Sequence, residues 1–260
     1  MNAGFDDLVA LIDDRTRGLA PWADILQDRP DLDERGAYEV QFALMRRRVA
    51  GGDRLIGYKA AYTSLAIQAQ RGNGGAIAGG ILASGVESET APIAIVPNAR
   101  NAVEPEVAIL LGSDLPGPVV GPLDVMRATH MLLPAIEVAV GAPGGIDRSR
   151  QMVIATHKTA GSIIVGGAGC GPAGVDLRLE GAVMRVNGEV RGSATAVEVL
   201  GDPYIAAAFI ANKLIEHDVC LRAGMLLMTG SIFAAIPVVP RDEVRVDFTR
   251  IGSVGLRFER

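Results

Sequence analysis

The stretch "NAVEPEVAILL", residues 101 to 111, sets two carboxylates, Glu104 and Glu106, two positions apart ahead of an apolar run. In an extended strand, residues i and i+2 project from one face, so the two side chains stand together. Adjacent carboxylates repel, and a dry site pushes at least one pKa up. A hard divalent cation such as Mg2+ or Mn2+ removes that conflict, because it takes oxygen ligands and leaves positions for water or substrate. A third acid, Glu137, sits inside "LLPAIEVAV", an otherwise apolar segment. An ionised glutamate there needs a partner. Two arrangements satisfy these residues. Either the three acids share a cation, or Glu104 and Glu106 are surface acids of an edge strand and Glu137 pairs with an arginine. Lys59, in "IGYKAAYTS", raises the same question. It either runs its stem along apolar surface with the ammonium in water, or it is placed for proton transfer, with a pKa that burial or a nearby cation lowers.

Elements must bring these residues together. Phe5, Leu8, Val9 and Ile12 recur at helical spacing, as do Tyr38, Phe42 and Met45. They predict two N-terminal helices, the second ending in Arg46, Arg47 and Arg48 as a solvated cationic end. "RLIGYKAAY" reads as a strand. Residues 71–80, "RGNGGAIAGG", are too glycine-rich for a regular element and read as a mobile loop or lid. Strands are expected at 106–111, 133–140 and 162–166, with a short helix between them capped by Asp124. Asn187-Gly188 is the pair a two-residue hairpin turn prefers. Asp202 caps a helix that starts at Pro203. "EVRVDF" and "VGLRF" alternate as two closing strands. Helices first and strands after give an α+β class, divided into a helical segment, 1–52, and a catalytic β-rich domain, 53–260.

Composition narrows the function. A chain of 260 residues with 49% apolar side chains suits one large domain. A net charge of -5 and only 4% aromatics argue against a nucleic-acid surface. Cys170 and Cys220 lie far apart, without a CxxC pair, and read as two buried thiols, not a disulfide. The acidic N-terminus has no signal-type apolar core, and no apolar run reaches membrane-spanning length. A soluble, cytoplasmic protein is expected. His130 and His217 fall near helix ends and are assigned to capping or solvation.

Four segments, "IGYKAAYTSLAIQ", "VEPEVAILL", "PAIEV" and "LRAGMLLMTGSIFAAIPVVPRDEVRVDFTRIGSVGLRF", occur in this order. Together they resemble the 2-keto-4-pentenoate (2-hydroxypenta-2,4-dienoate) hydratase and 4-oxalocrotonate decarboxylase family of the fumarylacetoacetate hydrolase superfamily. The resemblance implies a mixed, twisted β-sheet roll preceded by helices. It implies a lyase dependent on Mg2+ or Mn2+ that acts on short 2-oxo acids through a metal-stabilised enolate, in the meta-cleavage catabolism of aromatic compounds. Hydratase activity is the first expectation, and 4-oxalocrotonate-type decarboxylation the alternative. It assigns Glu104, Glu106 and Glu137 to the metal, Lys59 to proton transfer, and Thr63, Ser64 and Ser162 to substrate. It also implies a homo-oligomer and a hydratase/decarboxylase complex.

The chain departs from the family pattern in three places. No acid occurs between Thr63 and Glu87, where relatives carry an aspartate. His157 and Lys158 stand about where an Asp-Asn-like pair is usual, and are candidates to have taken over proton transfer. The alternative is two surface residues of a loop. Met225 replaces a common aspartate. These changes leave room for a different 2-oxo acid substrate, or for a non-catalytic relative that binds a small acid. A carbon–carbon bond hydrolase ranks behind both, because all three histidines follow the "VEPE" strand.

Overall fold

A computed structural model of the chain describes residues 3–18, 23–24, 26, 29, 31–64, 68–69, 74–142, 149–156, 160–167 and 169–259. Two helices open it, α1 (Ala3–Thr16) and α2 (Glu34–Ala50). The second begins where Asp33 accepts the Gly36 N–H at 2.8 Å, an N-cap that satisfies one orphan amide. Arg47 and Arg48 at its far end are not simply solvated. Both donate to Asp13, which is buried on α1, and Arg48 also reaches the Thr16 hydroxyl. The solvated reading failed because the partner carboxylate lies more than thirty positions away in sequence.

The strands are β1 (Leu55–Ala61), β2 (Ile77–Leu82), β3 (Val86–Glu87), β4 (Asn101–Leu111), β5 (Thr129–Val140), β6 (Ala160–Val165), β7 (Gly181–Val186), β8 (Glu189–Thr195), β9 (Leu226–Ser231), β10 (Ile236–Pro237), β11 (Glu243–Phe248) and β12 (Ser253–Arg257). Between them lie α3 (Pro122–Ala128), α4 (Arg150–Thr156) and α5 (Pro203–Ile215). A mixed sheet runs in the order β2-β1-β9-β4-β5-β6-β3, with β10 also paired to β4. A second, antiparallel sheet runs β12-β11-β7-β8. The expected hairpin turn is present, with Asn187 and Gly188 both at positive φ. Asp202 caps α5 by accepting the Tyr204 N–H.

Two readings of local sequence need correction. Residues 77–80 are not part of a loop. They belong to β2, whose six residues are all buried. Its glycines read as a loop signal, yet a Cβ on Gly80 would lie 2.0 Å from the Met45 methyl. A helix packed on the strand therefore fills the space that a side chain would take. Nor is Asp124 a cap residue. The N-cap of α3 is Gly121, and the Asp124 carboxylate reaches back from the first turn to the Gly121 N–H at 2.9 Å.

Alternation divides the large sheet into two faces. Val103, Val107 and Ile109 of β4, with Leu132, Ile136 and Val138 of β5, join a core that includes Ala207, Ile210 and Leu214 of α5 and Val246 and Val254 of the second sheet. The other face carries Glu104, Glu106 and Glu137, followed by an apolar patch of Ala108, Leu133, Ala135, Ile163, Leu226 and Met228. The architecture is the expected α+β arrangement of helices and a curled mixed sheet.

Candidate metal centre

Strand register assembles the acids. Glu104 on β4 pairs directly with Glu137 on β5, and Glu106 pairs with Ala135. Residues paired across a ladder share a face, so all three carboxylates project together. One oxygen from each lies within 4.8 Å of the other two. Glu106 and Glu137 are buried and Glu104 is half-buried.

Lys59 joins them from further off. It sits on β1, opposite Met228 of β9, three strand spacings from β5, or about 14 Å across a flat sheet. Its Nζ nevertheless donates to Glu137 Oε1 at 2.7 Å, with both side chains only 3% exposed. The sheet must curl toward this face to allow that contact. Glu137 thus has a cationic partner, as its apolar setting required, but the partner is a lysine and not an arginine. The stem of Lys59 does not carry its ammonium to water.

Glu106 is held by backbone. Its Oε2 accepts the Gly230 N–H at 2.8 Å. The ladder between β4 and β9 slips by one residue here, pairing Glu106 with Ser231 but Ala108 with Met228. This bulge turns the amide toward the carboxylate. Gly230 has φ +109°, and a Cβ there would stand 2.1 Å from Thr63 Oγ1. A side chain is excluded on both counts. Buried Thr63 therefore packs against the residue that positions Glu106. Ser64 follows it, half-buried, and its carbonyl accepts the Gln68 N–H.

Ser162 stands apart. It pairs with Val138, whereas its neighbour Ile163 pairs with Glu137. Alternation sets Ser162 on the face opposite the carboxylates. His157 and Lys158 lie outside the described residues. His217 is not simply solvated, since its ring packs 5.2 Å from those of Tyr38 and Phe42.

Electrostatics make the cluster tense. Burial, then the charge of Glu137, raises the Glu104 carboxyl to about 7, against the pull of Lys59 and Arg100. Burial, then Glu137 and Glu104, raises Glu106 well above its ordinary value, with the Gly230 N–H and Lys59 opposing. Three carboxylates crowded into a dry pocket fit a hard divalent cation. Oxygen ligands stand about 2.1 Å from Mg2+, so carboxylate oxygens within 4.8 Å of one another would draw together around it. Sequence reasoning found the acids and the lysine. It missed the Gly230 amide and Arg100, for which a lone "TGS" and a lone arginine gave no sufficient signal.

A mixed sheet thus carries an acidic cluster on one face. No protein-family model matches the chain. It is 32% identical over 238 residues to a 4-oxalocrotonate decarboxylase of Pseudomonas sp. (strain CF600), covering 90% of this chain and 89% of that protein. It is also 32% identical over 241 residues to a 2-oxo-hept-4-ene-1,7-dioate hydratase of Escherichia coli, covering 89% of each. Among solved structures, the 4-oxalocrotonate decarboxylase from Pseudomonas putida G7, complexed with magnesium and adipate, superposes with a TM-score of 0.91. That match is 29% identical and covers 98% of this chain and 97% of the other. A fumarylpyruvate hydrolase from Pseudomonas aeruginosa, 13% identical with a TM-score of 0.60, shares the fold. The chain belongs to the hydratase and 4-oxalocrotonate decarboxylase family of the fumarylacetoacetate hydrolase superfamily.

Proposed function

We propose that the protein is a metal-dependent lyase acting on short 2-oxo acids and their 2-hydroxydienoate tautomers, with hydration of the 2-keto-4-pentenoate type as its reaction. The observation that carries this reading is the triad of Glu104, Glu106 and Glu137, two of them buried, with Lys59 held 2.7 Å from Glu137. Mg2+ or Mn2+ held by the three acids would supply a Lewis acid that draws charge from the substrate's 2-oxo group. Gly230 fixes Glu106 through its amide. Thr63, which packs against Gly230, and Ser64 serve as substrate contacts. Lys59 holds a proton at Nζ next to the reacting group. Hydration moves the 2-hydroxyl proton of the dienol to carbon, then adds the hydrogen and hydroxyl of one water across the remaining double bond. Lys59 serves the proton-transfer steps, with His157 and Lys158 as further donors.

Decarboxylation is the second reading. It is favoured by similarity to 4-oxalocrotonate decarboxylases over nearly the whole chain. In either reading residues 53–260 form the catalytic unit and 1–52 a helical segment docked on it. The reading extends to a homo-oligomer; Val119, Leu123 and Met126, on and just before α3, are apolar side chains exposed for such a contact.

The test is ultraviolet loss of 2-hydroxypenta-2,4-dienoate and, separately, of 4-oxalocrotonate, with Mg2+, Mn2+ or a chelator. Metal-dependent loss of the dienoate is expected. Loss of 4-oxalocrotonate alone would select decarboxylation, and no turnover of either would overturn the reading.

A further inference from the structure

Arg100 extends the β4 ladder by one residue beyond Asn101, because its carbonyl accepts the Gly141 N–H at 2.8 Å. Alternation sets it on the same face as Glu104 and Glu106. Its side chain runs back along the strand toward them. Nη2 donates to the Ala235 carbonyl at 3.5 Å, at the outer limit of a hydrogen bond. Ile236 pairs with Val103 in an antiparallel ladder, so Ala235 comes level with Glu104. The guanidinium therefore reaches the mouth of the acidic cluster although its Cα is four residues away. Its charge is felt by the Glu104 carboxyl. Arg100 is exposed, and among the described residues no carboxylate lies within ion-pair distance of it. Glu104, the acid whose carboxyl feels its charge, is committed to a cation in the reading above. A guanidinium so placed matches a carboxylate through two parallel N–H donors.

We propose that Arg100 is a specificity-determining residue that receives the distal carboxylate of a dicarboxylic 2-oxo acid, whose 2-oxo acid end lies at the Glu104–Glu106–Glu137 cluster. This rests on the metal-site reading and deepens it. A 2-oxo acid with a distal carboxylate is expected to bind more tightly than one of equal length that ends in a methyl group.

Calorimetry with Mg2+ present, using 2-oxoadipate and 2-oxohexanoate, separates the two ends of the ligand. The two acids have equal length and differ only in the distal carboxylate. The intact protein is expected to bind 2-oxoadipate more tightly. Arg100→Gln should weaken 2-oxoadipate about tenfold to a hundredfold and leave 2-oxohexanoate unchanged. Arg100→Lys should recover part of the loss, since it restores charge without the planar fork. A parallel Mg2+ titration of Arg100→Gln should show metal affinity unchanged or higher. Equal weakening of both acids would place Arg100 at the shared 2-oxo acid end and overturn the inference alone, as would no effect on either. Failure of the intact protein to bind Mg2+ would overturn the metal-site reading and the inference with it.

Discussion

Lys59 and the three glutamates form one electrostatic unit, and its members cannot be changed independently. In protein stripped by a chelator, the Lys59 ammonium is left to neutralise Glu137 at 2.7 Å. Lys59→Met then leaves buried carboxylates without that cation, a loss of about 3 kcal/mol for a broken buried pair. The thermal midpoint of the variant should fall well below that of the intact protein in chelator, and Mn2+ should narrow the gap. A gap that Mn2+ leaves unchanged would contradict a shared site. Turnover of the same variant should fall about a hundredfold. The pH dependence follows from Glu104. Its carboxyl is raised to about 7, so the folded chain favours the protonated form. That contribution to stability is complete below the ordinary glutamate range and is lost as pH rises through 7. A cation must displace the same proton, so Mn2+ affinity should rise at least about tenfold from pH 6 to pH 8. A flat profile by calorimetry would count against Glu104 as a ligand.

At the scale of elements, the close approach of β1 and β9 holds Lys59 over the acids. A Cβ on Gly57 would stand 1.8 Å from the Leu226 carbonyl oxygen, and backbone cannot yield as a side chain can. Gly57→Ala should cost about 3 kcal/mol in denaturant unfolding. Gly80→Ala meets side-chain ends alone, the flexible end of Met45 and, at 3.2 Å, Leu55 Cδ1, and should cost about 1 kcal/mol. Equal costs would mean the β1–β9 contact is not the constraint. The same glycines mark what could be read in sequence. Carboxylates at i and i+2 on a strand, the Asn187-Gly188 turn and the Asp202 cap are local signals, and the structure carries all three. Gly79 and Gly80 were misread as a loop because Met45, which explains Gly80, lies on a helix more than thirty residues earlier. The pairing of Lys59 with Glu137 spans 78 positions. The Gly230 amide reaches Glu106 across 124. No spacing rule reveals contacts of that kind. Resemblance to a family placed the residues in one site but could not supply the distances.

At the scale of the whole molecule, α2 serves the sheet as an edge cover. β2 is an edge strand. The outward groups of Ala78 are taken up by α2, where Tyr38 Oη accepts the N–H at 3.0 Å and Gln41 Nε2 donates to the carbonyl at 3.1 Å. Gln41 also donates to the Ile154 carbonyl of α4. Tyr38 and Phe42 lie in the same core as the sheet. A fragment of residues 53–260 loses that cover and exposes unpaired strand groups, so it should aggregate on size-exclusion chromatography while the full chain stays dispersed. A dispersed, cooperatively folding fragment would contradict this. The helices thus protect the sheet that curls to bring four charged residues together. The most direct test of that arrangement is calorimetric titration of Mn2+ into the intact protein and Glu106→Gln, with circular dichroism to verify folding. The expected result is one site in the intact chain and no measurable binding in a fully folded variant. Unchanged affinity in Glu106→Gln would show that the carboxylates of β4 and β5 do not hold the metal.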